Sequence, residues 1–201
     1  LGAGAVMPLT VVVTGRDPQT VAADIVRLTG ELATLDGVED VRGMDTPLGL
    51  ADRGYDVAIN DIASEKAGLD SLAAEIQKKG QRALPVVADI SNHEQVDVMF
   101  QKIFSEWEVL DVLVNNAGIL TVSRVEDLAE EAWDKVFDVN AKGTFLVTKA
   151  AIPHMKARRS GRIIHMASIG GKQGGPGQAH YCSSKGAVIE FTRVLAMELG
   201  E

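Results

Sequence analysis

Apolar and polar positions change their period along this chain in a regular way. Short, nearly all-apolar runs lie at 55–60, 82–88, 110–115 and 161–167. Near 64–79, 92–107, 126–158 and 178–199 the apolar residues instead recur every three to four positions. Runs of the first kind suit strands buried on both faces, and those of the second suit amphipathic helices. Lys79-Gly80 is a helix stop, and Ser91, three residues before Glu94, is a candidate helix cap. Strands separated by helices call for right-handed βαβ crossovers. The pattern therefore predicts an α/β fold: a doubly wound, Rossmann-like parallel sheet covered by helices on both faces. Ligands of such sheets bind at the carboxyl ends of the strands.

The polar residues worth notice stand at those ends. Asp61, Asp89, the Asn115-Asn116-Ala117-Gly118 stretch and Ser168 each close an apolar run. Structural residues alone would scatter over both edges of a sheet, so this gathering argues for a crevice. Thirteen residues after Ser168 comes Tyr181, and Lys185 follows it by four. That spacing puts Tyr181 and Lys185 on one helix face. A neighbouring ammonium favours a phenolate, and a phenol so tuned exchanges a proton near neutral pH. Asn140 lies inside a helical pattern, where asparagine is a poor choice for stability alone.

Composition narrows the classes. The chain has 201 residues, 46% of them hydrophobic, and a net charge of -8. That length suffices for one well-buried domain, and the acidity argues against nucleic acid or an anionic membrane as partner. A single cysteine, Cys182, excludes an internal disulfide framework and suits a reducing cytoplasm. The apolar runs are too short for a membrane span, and the first residues lack the pattern of a signal peptide. The four histidines show no metal-ligand spacing, so no metal is expected.

Asn115-Asn116-Ala117-Gly118, Asn140, Ser168, Tyr181 and Lys185, in this order and spacing, resemble the short-chain dehydrogenase/reductase family over residues from about 48 to 201. The resemblance implies Tyr181 as general acid/base, with Lys185 tuning it and binding the nicotinamide ribose. It implies Ser168 as the group orienting the substrate oxygen, and Asn140 as the holder of a water that relays protons. Asp89 and Ile90 would touch adenine, and Asn116, Ala117 and Gly118 would pass beside the cofactor. Asp61, an acid at the end of the second strand, would bind the ribose hydroxyls of NAD and repel the extra phosphate of NADP. The family also implies a homodimer or homotetramer built through helices 126–158 and 178–199. Gly170 to Gly177 is read as a flexible wall of the substrate pocket, similar to loops of polyol, acetoin and 3-oxoacyl reductases.

Two departures stand out. The family's glycine-rich turn, Thr-Gly-x-x-x-Gly-x-Gly, is missing. Thr14-Gly15 imitates its start, but Arg16-Asp17-Pro18 follows, and 46 positions separate Gly15 from Asp61. Residues 1–47 hold no lysine against ten in 48–201. They read as strand 10–14, helix 18–35 and strand 38–42, an atypical segment beside the truncated family-like domain of 48–201. A fused reading frame and a piece replacing the first βα unit both remain open. After Glu201 the family continues with further strands and a lid, so the sheet is expected to be incomplete at both ends. The resulting expectation is an NAD(H)-dependent oxidoreductase interconverting a secondary alcohol and a ketone. The alternative is a catalytically impaired fragment serving as scaffold or oligomerisation module.

Overall fold

The computed structural model describes residues 6–7, 10–14 and 47–200, and every structural statement here concerns those residues. The expected helix at 18–35, strand at 38–42 and the Gly15–Pro18 turn lie outside them. In chain order come β1 (Val6–Met7), β2 (Thr10–Thr14), α1 (Pro47–Asp52), β3 (Asp56–Asp61), α2 (Lys66–Lys78) and β4 (Ala83–Val87). There follow α3 (His93–Glu106), β5 (Val112–Asn115), β6 (Gly118–Ile119), α4 (Glu130–Phe137) and α5 (Thr144–Arg158). The last elements are β7 (Arg162–His165), α6 (Gly170–Gln173) and α7 (Ala179–Leu199).

The main sheet has the order β4-β3-β2-β5-β7. Alternation along the strands sorts side chains into two cores. Ala58 and Leu113 face Met99, Phe100 and Ile103 of α3 and Val147 and Ala151 of α5. Val57, Ile59, Val112 and Val114 face Leu50 of α1 and Leu69, Ala73 and Ile76 of α2. Helices thus cover both faces of the sheet, in the three expected layers.

One expectation needs correction. β3 pairs parallel with β4, and β5 parallel with β7, but β2 runs antiparallel to both of its neighbours. The sheet is mixed, with its central strand reversed. Thr-Val-Val-Val-Thr is β-branched throughout and pairs equally well in either direction. Thr10 lies opposite Asn60 and Asn115 at the carboxyl edge, and Thr14 lies opposite Asp56 at the amino edge. Thr14 therefore ends β2 at the edge opposite the one where the family's glycine turn would stand.

Two local expectations also shift. The cap of α3 is Asn92, whose side chain accepts from Gln95 N, not Ser91. Residues 170–173, expected as part of a flexible wall, form the short helix α6. The stop at Lys79-Gly80 holds: Lys79 caps α2 and Gly80 takes φ +86°, a left-handed turn that glycine enters without strain.

Candidate active site

The first turns of α7 carry Tyr181 and Lys185, and Lys185 Nζ lies 5.9 Å from the centre of the Tyr181 ring. Lys185 is 5% exposed. Its ammonium donates to Met166 O at 2.7 Å, just beyond the end of β7. Burial lowers its pKa to about 8. Met166 N in turn donates to Asn115 O at 2.9 Å. The exits of β5 and β7 and the start of α7 are thereby tied at one point.

Ser168 leaves β7 toward α6, and its Oγ accepts from Gly170 N at 3.1 Å. A methyl group on Gly170 would stand 3.4 Å from Ser168 Oγ and 3.7 Å from Tyr181 Cε1. The serine hydroxyl and the tyrosine ring thus border the same spot. Behind them, a Cβ at Gly171 would meet the backbone of Lys185 at 2.8 Å and Gly186 N at 2.9 Å. Only glycine lets α6 lie this close to α7, so Gly171 fixes the distance between the serine and the tyrosine–lysine pair. The glycine-rich composition of the stretch was visible in the sequence; this packing role was not.

Asn140 sits in a π-helical turn, Asp138–Gly143, that interrupts the long predicted helix between α4 and α5. The wider turn is a departure that pure helical periodicity does not reveal. Asn140 is fully buried. Its Oδ1 accepts from Ile119 N at 2.8 Å, and its Nδ2 donates to Ile119 O and to Ser184 Oγ, each at 3.0 Å. Asn140 O accepts from Thr144 Oγ1. The amide therefore clamps the backbone of β6 rather than bonding Lys185. Asn140 and Lys185 nonetheless converge on Gly118, where a Cβ would lie 3.2 Å from Oδ1 and 3.4 Å from Nζ. Ser184, which holds Asn140 and donates to Tyr181 O at 2.8 Å, was missed by sequence reasoning. Its only signal was its place beside Lys185.

The remaining candidates line the same carboxyl edge. Asp61 ends β3; burial raises its pKa, partly opposed by the Ile62 N–H and reinforced by Glu65. Asp89 follows β4 by two residues. Burial pushes its pKa up, but bonds from Ser91 Oγ and N with the charges of Lys135 and Lys142 outweigh it, and the net shift is downward. Ile90 is 5% exposed and belongs to the core on the α3 side. Asn116 and Ala117 are half-buried between β5 and β6. Cys182 is half-buried, with Sγ 3.8 Å from Gln178 Oε1. No cluster that could hold a metal occurs among the described residues.

A chain of hydrogen bonds runs from this edge, buried at Asn115 and Thr148 and ending at exposed Thr192. Asn115 Nδ2 donates to Thr148 Oγ1 at 2.9 Å, and Thr148 Oγ1 lies 3.1 Å from His165 Nε2. His165 Nδ1 lies 2.9 Å from Thr192 Oγ1, which donates to Val188 O. Because Thr192 spends its proton on Val188, it accepts from His165, and His165 is neutral with its proton on Nδ1. Burial holds its pKa at about 4. Residues 115, 148, 165 and 192 are too scattered for any motif to have revealed the chain.

A nicotinamide dinucleotide is the cofactor this edge suggests. Its ribose and nicotinamide end fits the donor set: a buried ammonium, a phenol and a serine hydroxyl at one edge of the sheet. Its diphosphate does not. That group needs backbone N–H groups at a helix start following the central strand, and β2 enters from this edge instead of leaving by it.

A family model described as short chain dehydrogenase matches residues 37–201. The chain belongs to the short-chain dehydrogenase family. It is 39% identical over 172 residues to a 3-oxoacyl-[acyl-carrier-protein] reductase of Synechocystis sp., covering 86% of this chain and 69% of that protein. It is 39% identical over 157 residues to the reductase of the same name from Staphylococcus aureus, covering 78% and 63%. A (2S)-[(R)-hydroxy(phenyl)methyl]succinyl-CoA dehydrogenase subunit of Thauera aromatica is 39% identical over 173 residues, covering 86% and 68%. Among solved structures, an NAD+-bound xylitol dehydrogenase is similar with a TM-score of 0.73 and 31% identity, over 76% of this chain and 61% of that one. The chain thus spans about two thirds of the length of these relatives.

Proposed function

We propose that the chain is an NAD(H)-dependent oxidoreductase that interconverts a secondary alcohol and a ketone. The observation that carries the reading is the grouping of Ser168, Tyr181 and buried Lys185 at the carboxyl edge of the sheet. In the reductive direction the Tyr181 hydroxyl gives its proton to the substrate oxygen, and in the oxidative direction it takes one. Ser168 Oγ donates to the same oxygen and orients it. Lys185, held by Met166 O, keeps a positive charge beside the phenol. Asn140 anchors β6 and offers a route for protons toward solvent. Bound NAD would supply the hydride acceptor or donor.

Asp61 favours NAD over NADP by accepting from the ribose hydroxyls. Asp89 and Ile90 border the adenine, and Asn116, Ala117 and Gly118 leave room for the cofactor to pass. The relatives are named for a 3-oxoacyl carrier protein, a hydroxy-substituted succinyl-CoA and xylitol. The proposed substrate is accordingly a small alcohol or ketone of the polyol, acetoin-like or 3-oxoacyl type. Exposed Phe145 on α5 and Val194 and Met197 on α7 support a homodimer or homotetramer through these helices. No described helix is long and apolar enough to cross a membrane. The single cysteine supports a cytoplasmic setting.

A second reading, a catalytically impaired scaffold, draws support from the reversed β2 and from a sequence that lacks the glycine-rich turn. NADH-linked reduction of a small panel separates the two: a diketone, a 3-oxoacyl thioester and a ketose. Turnover that disappears in Tyr181→Phe supports the oxidoreductase. No turnover on any member, with NADH failing to bind, supports the scaffold.

A further inference from the structure

We infer that His180 is a positioning residue for Tyr181: through Thr121 it pins the first turn of α7 to the chain that follows β6, and so fixes where the phenol stands beside Ser168. Its role rests on the reading of Tyr181 proposed above. Two features carry it: a helix start held from the side instead of by a cap, and a buried imidazole with a single partner.

Tyr181 lies in the first turn of α7, so its place depends on how that helix begins. Gln178, at the cap position, makes no side-chain cap bond. A helix start without a cap leaves its first N–H groups unpaired and is the less stable for it. Here the start is tied to alternate residues of the chain after β6. Ser123 N donates to Gly177 O at 2.9 Å, just ahead of the helix. Thr121 Oγ1 lies 2.5 Å from His180 Nε2, in the first turn. Ile119 is clamped by Asn140, whose amide also donates to Ser184 Oγ, one turn further on. Tyr181 stands between the second and third of these ties. The fit is close: a Cβ at Gly177 would lie 2.9 Å from Val122 Cγ1.

Packing alone does not account for a histidine here. His180 is fully buried, and its Nδ1 has no hydrogen-bond partner among the described residues. An unpaired polar atom in the interior costs stability that an apolar side chain of similar size would not. Burial lowers its pKa, so the ring is neutral at pH 7. A proton on Nδ1 would be a buried donor without an acceptor, so the proton belongs on Nε2, and His180 donates to Thr121. The bond this ring makes therefore joins the residue before Tyr181 to the chain after β6. Thr121 itself is exposed, so the tie can be cut from its outer end without opening the core.

The test compares the parent chain with Thr121→Val, which keeps the shape and removes the hydroxyl, Thr121→Ser, which keeps the hydroxyl, and His180→Ala. Far-UV circular dichroism checks that each is folded. Two readouts need no cofactor. One is the Tyr181 ring signals in NMR spectra of tyrosine-labelled protein; the chain has two tyrosines, and Tyr181→Phe tells them apart. The other is the rate at which a thiol reagent labels Cys182, the sole cysteine, half-buried next to Tyr181. Thr121→Val and His180→Ala are expected to shift the Tyr181 signals and to raise the labelling rate by about 2–12-fold, as loss of one hydrogen bond would. Thr121→Ser should keep both at parental values. Turnover on the panel above should fall in Thr121→Val and be retained in Thr121→Ser. Tyr181 signals that stay in place in Thr121→Val overturn the inference, whatever happens to Tm. Shifted signals with parental turnover overturn it too. Loss of fold in Thr121→Val makes the pair a structural element, which also overturns it. If only His180→Ala fails to fold, the two Thr121 variants decide. A parent chain without turnover overturns the oxidoreductase reading alone, and the ring signals and labelling rate still decide whether His180 positions Tyr181.

Discussion

Gly171→Ala should damage this protein, whereas Gly186→Ala, across the same interface, should not. The two glycines face each other where α6 packs on α7. A Cβ at Gly171 would sit 2.8 Å from Lys185 C and 2.9 Å from Lys185 O and Gly186 N. All three are backbone atoms of a long helix and cannot swing aside. Either α6 lifts away from α7 or the methyl is strained, at a cost of about 1–3 kcal/mol. For a chain of this length that lowers Tm by roughly 2–12 °C. A Cβ at Gly186 would meet only Gly171 O, at an ordinary 3.5 Å. Alanine within the helix there should gain up to about 1 kcal/mol over glycine. Lifting α6 also moves Ser168 from Tyr181, so any turnover should fall more in Gly171→Ala than stability alone explains. Thermal melts of the three proteins provide the assay. A Gly171→Ala protein as stable as the parent, or a Gly186→Ala protein less stable than Gly171→Ala, would refute the packing argument.

Other expectations follow from the buried titratable groups and the cofactor edge. His165 has a folded pKa of about 4 against an ordinary 6.5. Its share of stability is present above pH 6.5 and lost as pH falls toward 4, at most roughly 3 kcal/mol before solvent screening. Urea midpoints of His165→Gln should fall less steeply than those of the parent over that window; parallel curves would contradict this. Lys185, lowered to about 8, is charged at pH 7 and neutral above its pKa. Turnover should therefore decline as pH rises through about 8, and a rate flat to pH 9.5 would count against its role. Lys185→Met should abolish turnover while leaving the urea midpoint unchanged or higher, because a buried charge is removed. Asp61→Ala should narrow the preference for NAD over NADP by roughly tenfold, judged from dissociation constants. Equal affinities in the parent would mean that Asp61 does not reach the ribose.

The layers of the fold were legible because burial leaves a strong mark on sequence. The nearly all-apolar run at 55–60 became β3 at 56–61, and that at 82–88 became β4 at 83–87. The convergence of Ser168, Tyr181 and Lys185 was likewise readable from spacing, since a strand end and one helix face leave little choice of position. The direction of β2 was not readable. A β-branched run reports that a strand forms but is symmetric with respect to its sense. The π-helical turn at Asn140 was hidden because its neighbours keep an ordinary helical pattern. Gly170-Gly171 looked like a loop by composition; the close approach to Lys185 that requires glycine is a tertiary fact. The Asn115–Thr148–His165–Thr192 chain joins four elements, and no local pattern encodes it.

The central claim is that Tyr181 moves the proton in an alcohol–ketone interconversion. Its most direct measurement compares kcat/KM of the parent chain and of Tyr181→Phe with NADH and the best carbonyl substrate of the panel. Removing only the phenolic oxygen should leave the fold intact and lower kcat/KM by about 10²–10⁴-fold. A Tyr181→Phe protein that keeps activity within a few-fold of its parent would contradict the account.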